Sequence, residues 1–190
     1  MGQRTLFIAA GHGGNDRGNT SGNYIERDEN LKITHGMYNW CVLNQVPMGI
    51  GGVLFLDDAL DLLGENAFLK AVKANKKDGD YAIDIHLDWR PKGSGALVIV
   101  DEDPYGRSFS EGFLRRWCTT TGIVNNGVHD SKQWATKQRG WDDMGFCRPP
   151  AYGAGIWELG CLNHIPDMKI VQNPVYQALV MQFIWEAWND

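Results

Sequence analysis

At 190 residues, 43% of them hydrophobic, the chain suits one globular domain with its own core. A formal charge of −5 gives it no basic footprint, which excludes non-specific binding to DNA or RNA. No apolar run is long enough to span a membrane, and the short one after Thr5 is too brief for a signal-peptide core.

Residues 5–9 read as a buried strand, 11–22 as a Gly-rich loop, and 26–44 as a helix with Leu31, Met37, Trp40 and Cys41 turned inward. Residues 52–56 make a second strand, 60–75 a second helix, 81–87 a third strand and 95–100 a fourth. A helix over 109–121, a short strand over 123–128 and another over 155–159 follow. The final helix has Asn173 as N-cap and Pro174 at its first position. Val175, Leu179, Phe183 and Ala187 then recur on one face, with Val180 and Ile184 beside them. Strands alternating with helices predict an α/β fold, its sheet largely parallel or mixed and covered on both faces. No linker, repeat or low-complexity stretch divides residues 1–190. Cys41, Cys118, Cys147 and Cys161 form no CxxC pair and are expected mostly reduced and buried.

His12 follows the first strand in Ala10-Gly11-His12-Gly13-Gly14-Asn15-Asp16. Such a histidine can simply bond the backbone, or the glycines can cradle a phosphate. Asp16, however, stands where the last glycine of a dinucleotide fingerprint belongs. A metal ligand on a tight turn is the third reading, and His86 supports it. Side chains alternate along a strand, so Tyr81, Ile83, Ile85 and Leu87 share one face and Asp84, His86 and Asp88 the other. Apolar neighbours argue for a central strand rather than a solvated edge.

Two imidazoles, one carboxylate and an open position form a common catalytic zinc set. The residues leave the carboxylate open among Asp16, Glu26, Asp28 and Asp84, with Glu26 favoured because it opens the first helix close after the loop. Zinc catalysis also needs a base. Glu158, an acid inside the apolar run Gly155-Ile156-Trp157-Glu158-Leu159-Gly160, is the leading candidate, against a structural ion pair with Arg148. His129 is a candidate for touching an oxyanion or a substrate carboxylate, against the plainer reading of a bystander in a loop. His35 reads as packed or surface. Cys161 and His164 lack two further ligands for a metal site. Trp89, Trp134 and Trp141 are candidates for a substrate groove or for the core.

Together these segments resemble the zinc N-acetylmuramoyl-L-alanine amidases of autolysins and phage endolysins, over nearly the whole chain and in order. Residues 8–16 with Gly18 resemble the family's first zinc motif, and Glu26 with Asn30-Leu31 its glutamate ligand at a helix start. Residues 69–75 with Gly79-Asp80 resemble the helix and turn before its second histidine. Residues 83–88 match the strand carrying that histidine, and residues 93–96 the turn after it. Gly127-Val128-His129 falls where the family has a glycine and a basic residue, and residues 150–160 resemble its last motif. The resemblance implies zinc held by His12, Glu26 and His86, Glu158 as general base and acid, and a twisted, mostly parallel sheet flanked by helices.

The chain departs from the family in four places. Ala9 and Ala10 stand where an acidic residue often precedes the first glycine-histidine pair, and Asp84 replaces the usual serine two places before the second histidine. Cys161 and His164 replace a usual phenylalanine and asparagine. Asp84 is then a candidate for orienting a ligand from outside the metal's own shell.

The expected activity is hydrolysis of the amide joining N-acetylmuramic acid to L-alanine in peptidoglycan. The expected agent is a single-domain monomer with no separate wall-binding domain. It would be made in the cytoplasm without a signal peptide and reach the wall through a holin-made lesion, as a phage endolysin does. The rivals are a zinc carboxypeptidase acting within the stem peptide and a non-catalytic peptidoglycan-binding module. A serine hydrolase lacks its GxSxG elbow and a zincin its HExxH.

Overall fold

The computed structural model describes residues 4–56, 79–101, 104–139, 144–147 and 153–190. The expected helix over 60–75, Trp141 and Arg148 lie outside the described residues, as does the start of the segment 150–160.

The strands are β1 (Leu6–Ala10), β2 (Thr20–Ser21), β3 (Tyr24–Ile25), β4 (Val53–Leu56), β5 (Tyr81–Asp88), β6 (Ala96–Val100), β7 (Asn125–Asp130) and β8 (Gly153–Cys161). The described helices are α1 (Glu26–Leu43), α2 (Pro104–Thr121), α3 (Ser131–Arg139), α4 (Ile165–Val171) and α5 (Pro174–Asn189), with a 3₁₀ turn at Gly145–Cys147. Six strands form one sheet in the order β4-β1-β5-β8-β6-β7. β4, β1, β5 and β8 run parallel; β6 is antiparallel to β8, and β7 follows β6. The expected α/β architecture is therefore present, with its mostly parallel sheet.

The sheet's two faces are covered unequally. Ile8, Ile83, Ile85, Val98 and Trp157 meet Met37 of α1, Phe113 and Trp117 of α2, Met168 of α4 and Ile184 of α5 in the main core. The other face carries two smaller clusters, one around Phe7, Ala9, Ala82 and Ala154 and one around Leu97, Ile99 and Ile156. Trp134 of α3, Met144, Phe146 and Cys147 pack on the second of these. β1 and β5 are buried on both faces, which is why they read as continuous apolar runs.

Some details differ from the periodicity. In α1, Met37 and Cys41 are buried as expected, but Leu31 and Trp40 are only half-buried, and Ile33 and Thr34 complete the inward stripe. In α5, Asn173 caps as expected, its side chain accepting from Val175 N at 3.0 Å. Its buried stripe is Gln177, Val180, Met181, Ile184 and Trp188, with Phe183 beside it, while Val175 is 66% exposed. The helix is apolar nearly all round, so spacing alone left its orientation underdetermined. All four cysteines are free, and Cys118 is half-buried rather than buried.

Candidate active site

β1, β5 and β8 all end at one edge of the sheet, the edge where open α/β sheets place their sites. His12 lies two residues beyond β1, His86 near the end of β5, and Glu158 on β8 directly beside His86 in register. His12 takes a left-handed backbone, φ 66°, which is uncommon without glycine and marks local strain at the turn. Gly11 follows β5 closely, its N–H donating to Ile85 O at 2.7 Å. A Cβ on Gly11 would lie 2.2 Å from His86 Nε2, and one on Gly18 2.4 Å from His12 Cδ2. These glycines let the two rings occupy one small space.

The β2–β3 hairpin returns the chain so that Glu26 opens α1 with its N–H on Asn19 O at 3.0 Å. Glu26 is buried, and its two oxygens do different work. Oε2 accepts from Asn19 N at 2.9 Å and Asn19 Nδ2 at 2.7 Å. Oε1 faces His12 Nε2 at 3.1 Å and His86 Nδ1 at 3.0 Å. The rings meet edge to face, with centroids 4.8 Å apart. One ligand atom from each of His12, Glu26 and His86 lies within 4.8 Å of the others. Two imidazole nitrogens and a carboxylate converging this closely fit a divalent ion of the zinc type.

Each ring also meets a second carboxylate on its far side. His12 Nδ1 lies 2.9 Å from Asp16 Oδ2, and His86 Nε2 lies 3.0 Å from Asp84 Oδ2. Gly18 N holds the other oxygen of Asp16 at 3.0 Å. Three of the four candidate carboxylates thus surround the histidines, with Glu26 central. The fourth, Asp28, instead pairs with Arg27 at 2.8 Å.

The charges support one another. Burial opposes charge on His12, but Glu26 and Asp16 outweigh it and raise its pKa. His86 is likewise opposed by burial yet lifted well above its ordinary value by Asp84, Glu26 and Glu158. Burial would raise Glu26, but the two imidazoles hold its carboxyl far below the usual range. Glu158 moves the other way: burial, with Glu26, Asp88 and Asp84 nearby, pushes its carboxyl well up despite His86. Its Oε2 is buried without a hydrogen-bond partner. The same cluster thus drives its two buried glutamates in opposite directions.

A cavity of about 350 Å³ opens onto this cluster, lined by all four residues and by Asp16, Asp88, Trp89, Met144 and Ile156 among others. Trp89 is 40% exposed there. Trp134 belongs instead to the packing of the second face, its ring 4.5 Å from that of His129. His129 stands on β7, two strands from Glu158, with Nε2 on Asn126 O at 3.0 Å and outside the cavity lining. Burial and the cations Arg107, Arg90 and Lys137 lower its pKa. His35 is exposed on α1. His164 pairs with Asp167 at 2.8 Å, and Cys161 Sγ donates to Asn163 Oδ1, so neither joins the cluster. Asn19 went unnoticed in the sequence, because nothing marks a loop asparagine as the holder of a carboxylate.

A family model described as N-acetylmuramoyl-L-alanine amidase matches residues 6–189. No curated protein matches the chain. Among solved structures, the catalytic domain of CwlV, an N-acetylmuramoyl-L-alanine amidase from Bacillus (Paenibacillus) polymyxa var. colistinus, is similar with TM-score 0.74 and 19% identity, over 97% of this chain and 95% of that one. The N-acetylmuramoyl-L-alanine amidase from Clostridium difficile 630 gives 0.74 and 20%, over 98% and 95%. AmiC2 of Nostoc punctiforme gives 0.73 and 18%, over 99% and 96%.

Proposed function

The chain belongs to the N-acetylmuramoyl-L-alanine amidase family, and from that premise we propose that it is a zinc enzyme hydrolysing the amide between N-acetylmuramic acid and L-alanine in peptidoglycan. The observation that carries the zinc reading is Glu26 Oε1 set between His12 Nε2 and His86 Nδ1 at 3.1 and 3.0 Å. His12, Glu26 and His86 would hold the ion. With zinc bound there, the site would have a Lewis acid and an acidified water, and the added positive charge would favour the ionised form of Glu158.

The chain's own residues do the rest. Glu158, on the strand beside His86, accepts the proton of the attacking water and delivers it to the leaving alanine nitrogen. Asn19 fixes the second oxygen of Glu26, so the ligand oxygen is held ready. Trp89, Met144 and Ile156 give the cavity an apolar wall against which the substrate can exclude water.

The test is mass spectrometry of purified peptidoglycan after digestion, with and without a chelator. Intact stem peptides beginning with alanine, lost on chelation and restored by zinc, are the expected products. Cuts within the peptide would replace this reading with a carboxypeptidase. Wall binding without products under any metal would replace it with a binding module.

The role in the cell that fits this activity is wall lysis of the endolysin kind. In that role a holin-made lesion would give the chain access to the wall. Expressed inside bacteria, the chain should lyse them only when a holin is co-expressed; lysis without one would remove the holin from the account.

A further inference from the structure

Asp84, which faces His86, has Ala9 beside it on the neighbouring strand. In the parallel pairing of β1 with β5, Ala9 is the register partner of Asp84. Parallel partners point to the same side of the sheet, and Ala9 belongs to the cluster on the site face. We infer that Asp84 is the positioning residue of His86, a task that a carboxylate at position 9 of β1 would also reach. This rests on the zinc reading above.

The contacts specify the task. An ionised carboxylate only accepts hydrogen bonds, so a ring nitrogen facing one holds its proton there, and the inner nitrogens, which face Glu26, would give theirs up to the metal. Asp84 Oδ2 lies 3.0 Å from His86 Nε2 and keeps the proton there, leaving Nδ1 as the ligand nitrogen. Asp16 does the converse for His12, retaining the proton on Nδ1 and freeing Nε2. The two histidines are thus held in opposite tautomers, so that Nε2 of one and Nδ1 of the other converge beside Glu26 Oε1. Asp84 is 1% exposed, and its second oxygen is buried without a hydrogen-bond partner. A buried carboxylate left half-bonded disfavours the fold, which argues that its place is set by the site. Gly11, two residues on from Ala9, is the residue whose absent side chain makes room for His86 Nε2, so an acid at position 9 would approach the same nitrogen from the neighbouring strand.

The experiment measures zinc affinity by chelator competition in the full chain, for the wild type, Asp84→Ser, Asp84→Asn, and the double variant Ala9→Asp with Asp84→Ser. Loss of an outer carboxylate typically weakens metal binding about 10- to 100-fold. That loss is expected in Asp84→Ser, with most of it restored in the double variant. Long-range nitrogen–proton NMR of the zinc-loaded protein supplies a readout that a merely structural role would not move. The proton of His86 should sit on Nε2 in the wild type and the double variant, and the ring should lose that fixed assignment in Asp84→Ser. Should the serine variant fail to fold, Asp84→Asn, which keeps the shape and removes the charge, carries the same comparison. Unchanged affinity in the Asp84 variants, or a proton on His86 Nδ1 in the wild type, overturns the inference and leaves the zinc reading standing. A wild type that binds no zinc overturns both.

Discussion

Glu158→Gln is expected to leave the fold and the zinc content unchanged and to lower kcat by about 100- to 10,000-fold, the range general acid–base groups contribute. Glutamine matches glutamate in shape but cannot take a proton from water at neutral pH. The position makes the comparison clean. Glu158 sits on β8 between β5 and β6, opposite Leu97 on the antiparallel side and beside His86 on the parallel side. Its Oε2 makes no hydrogen bond that the fold would lose. Burial already disfavours the charge of this carboxyl, so the neutral amide should keep the sheet intact and lost activity would report chemistry rather than unfolding. Steady-state kinetics beside zinc analysis and a thermal melt make the measurement. Turnover near that of the wild type would remove Glu158 from the role of base.

His12→Ala should abolish tight zinc binding. It leaves Glu26 and His86 as the only members of the three-residue set, and a catalytic zinc site needs three protein ligands. The fall in affinity should therefore exceed the about 10- to 100-fold expected for an outer partner such as Asp84. The half-buried ring lines the cavity and belongs to none of the apolar core clusters, so the variant should stay folded. Alanine at a left-handed backbone position adds little strain beyond what histidine already bears there, because both carry a Cβ. Metal analysis after dialysis decides the matter, and one zinc per chain retained by the variant would exclude His12 from the ligand set.

Much of this was legible in the residues because two simple patterns operate. Strands buried on both faces read as unbroken apolar runs, and β1 and β5 fall within a residue of their expected bounds. Strict alternation along β5 puts Asp84 and His86 on one face in the sequence itself, and the structure keeps them there. The central carboxylate was less legible, because closeness in sequence says nothing of direction. Asp16, Glu26 and Asp84 all lie at the histidines, and only the hydrogen bonds separate the one between the rings from those outside them. α3 was missed because Ser131–Arg139 is polar nearly throughout and offers only Trp134 and Ala135 as an apolar face. The β2–β3 hairpin has two residues in each strand, too few for any periodicity.

The strand order also bears on synthesis. β8 is the last strand to leave the ribosome, yet its place is between β5 and β6, which are made earlier. The nascent sheet therefore holds a gap at its middle until residue 161 has emerged, and β6 has no neighbour on that side. Pairing of such long sequence separation is slow and leaves edges open to wrong partners. It also orders the appearance of the chemistry: His12, Glu26 and His86 are made first, and Glu158 arrives with the strand that closes the gap. A chain interrupted in translation before that point would carry His12, Glu26 and His86 and lack Glu158.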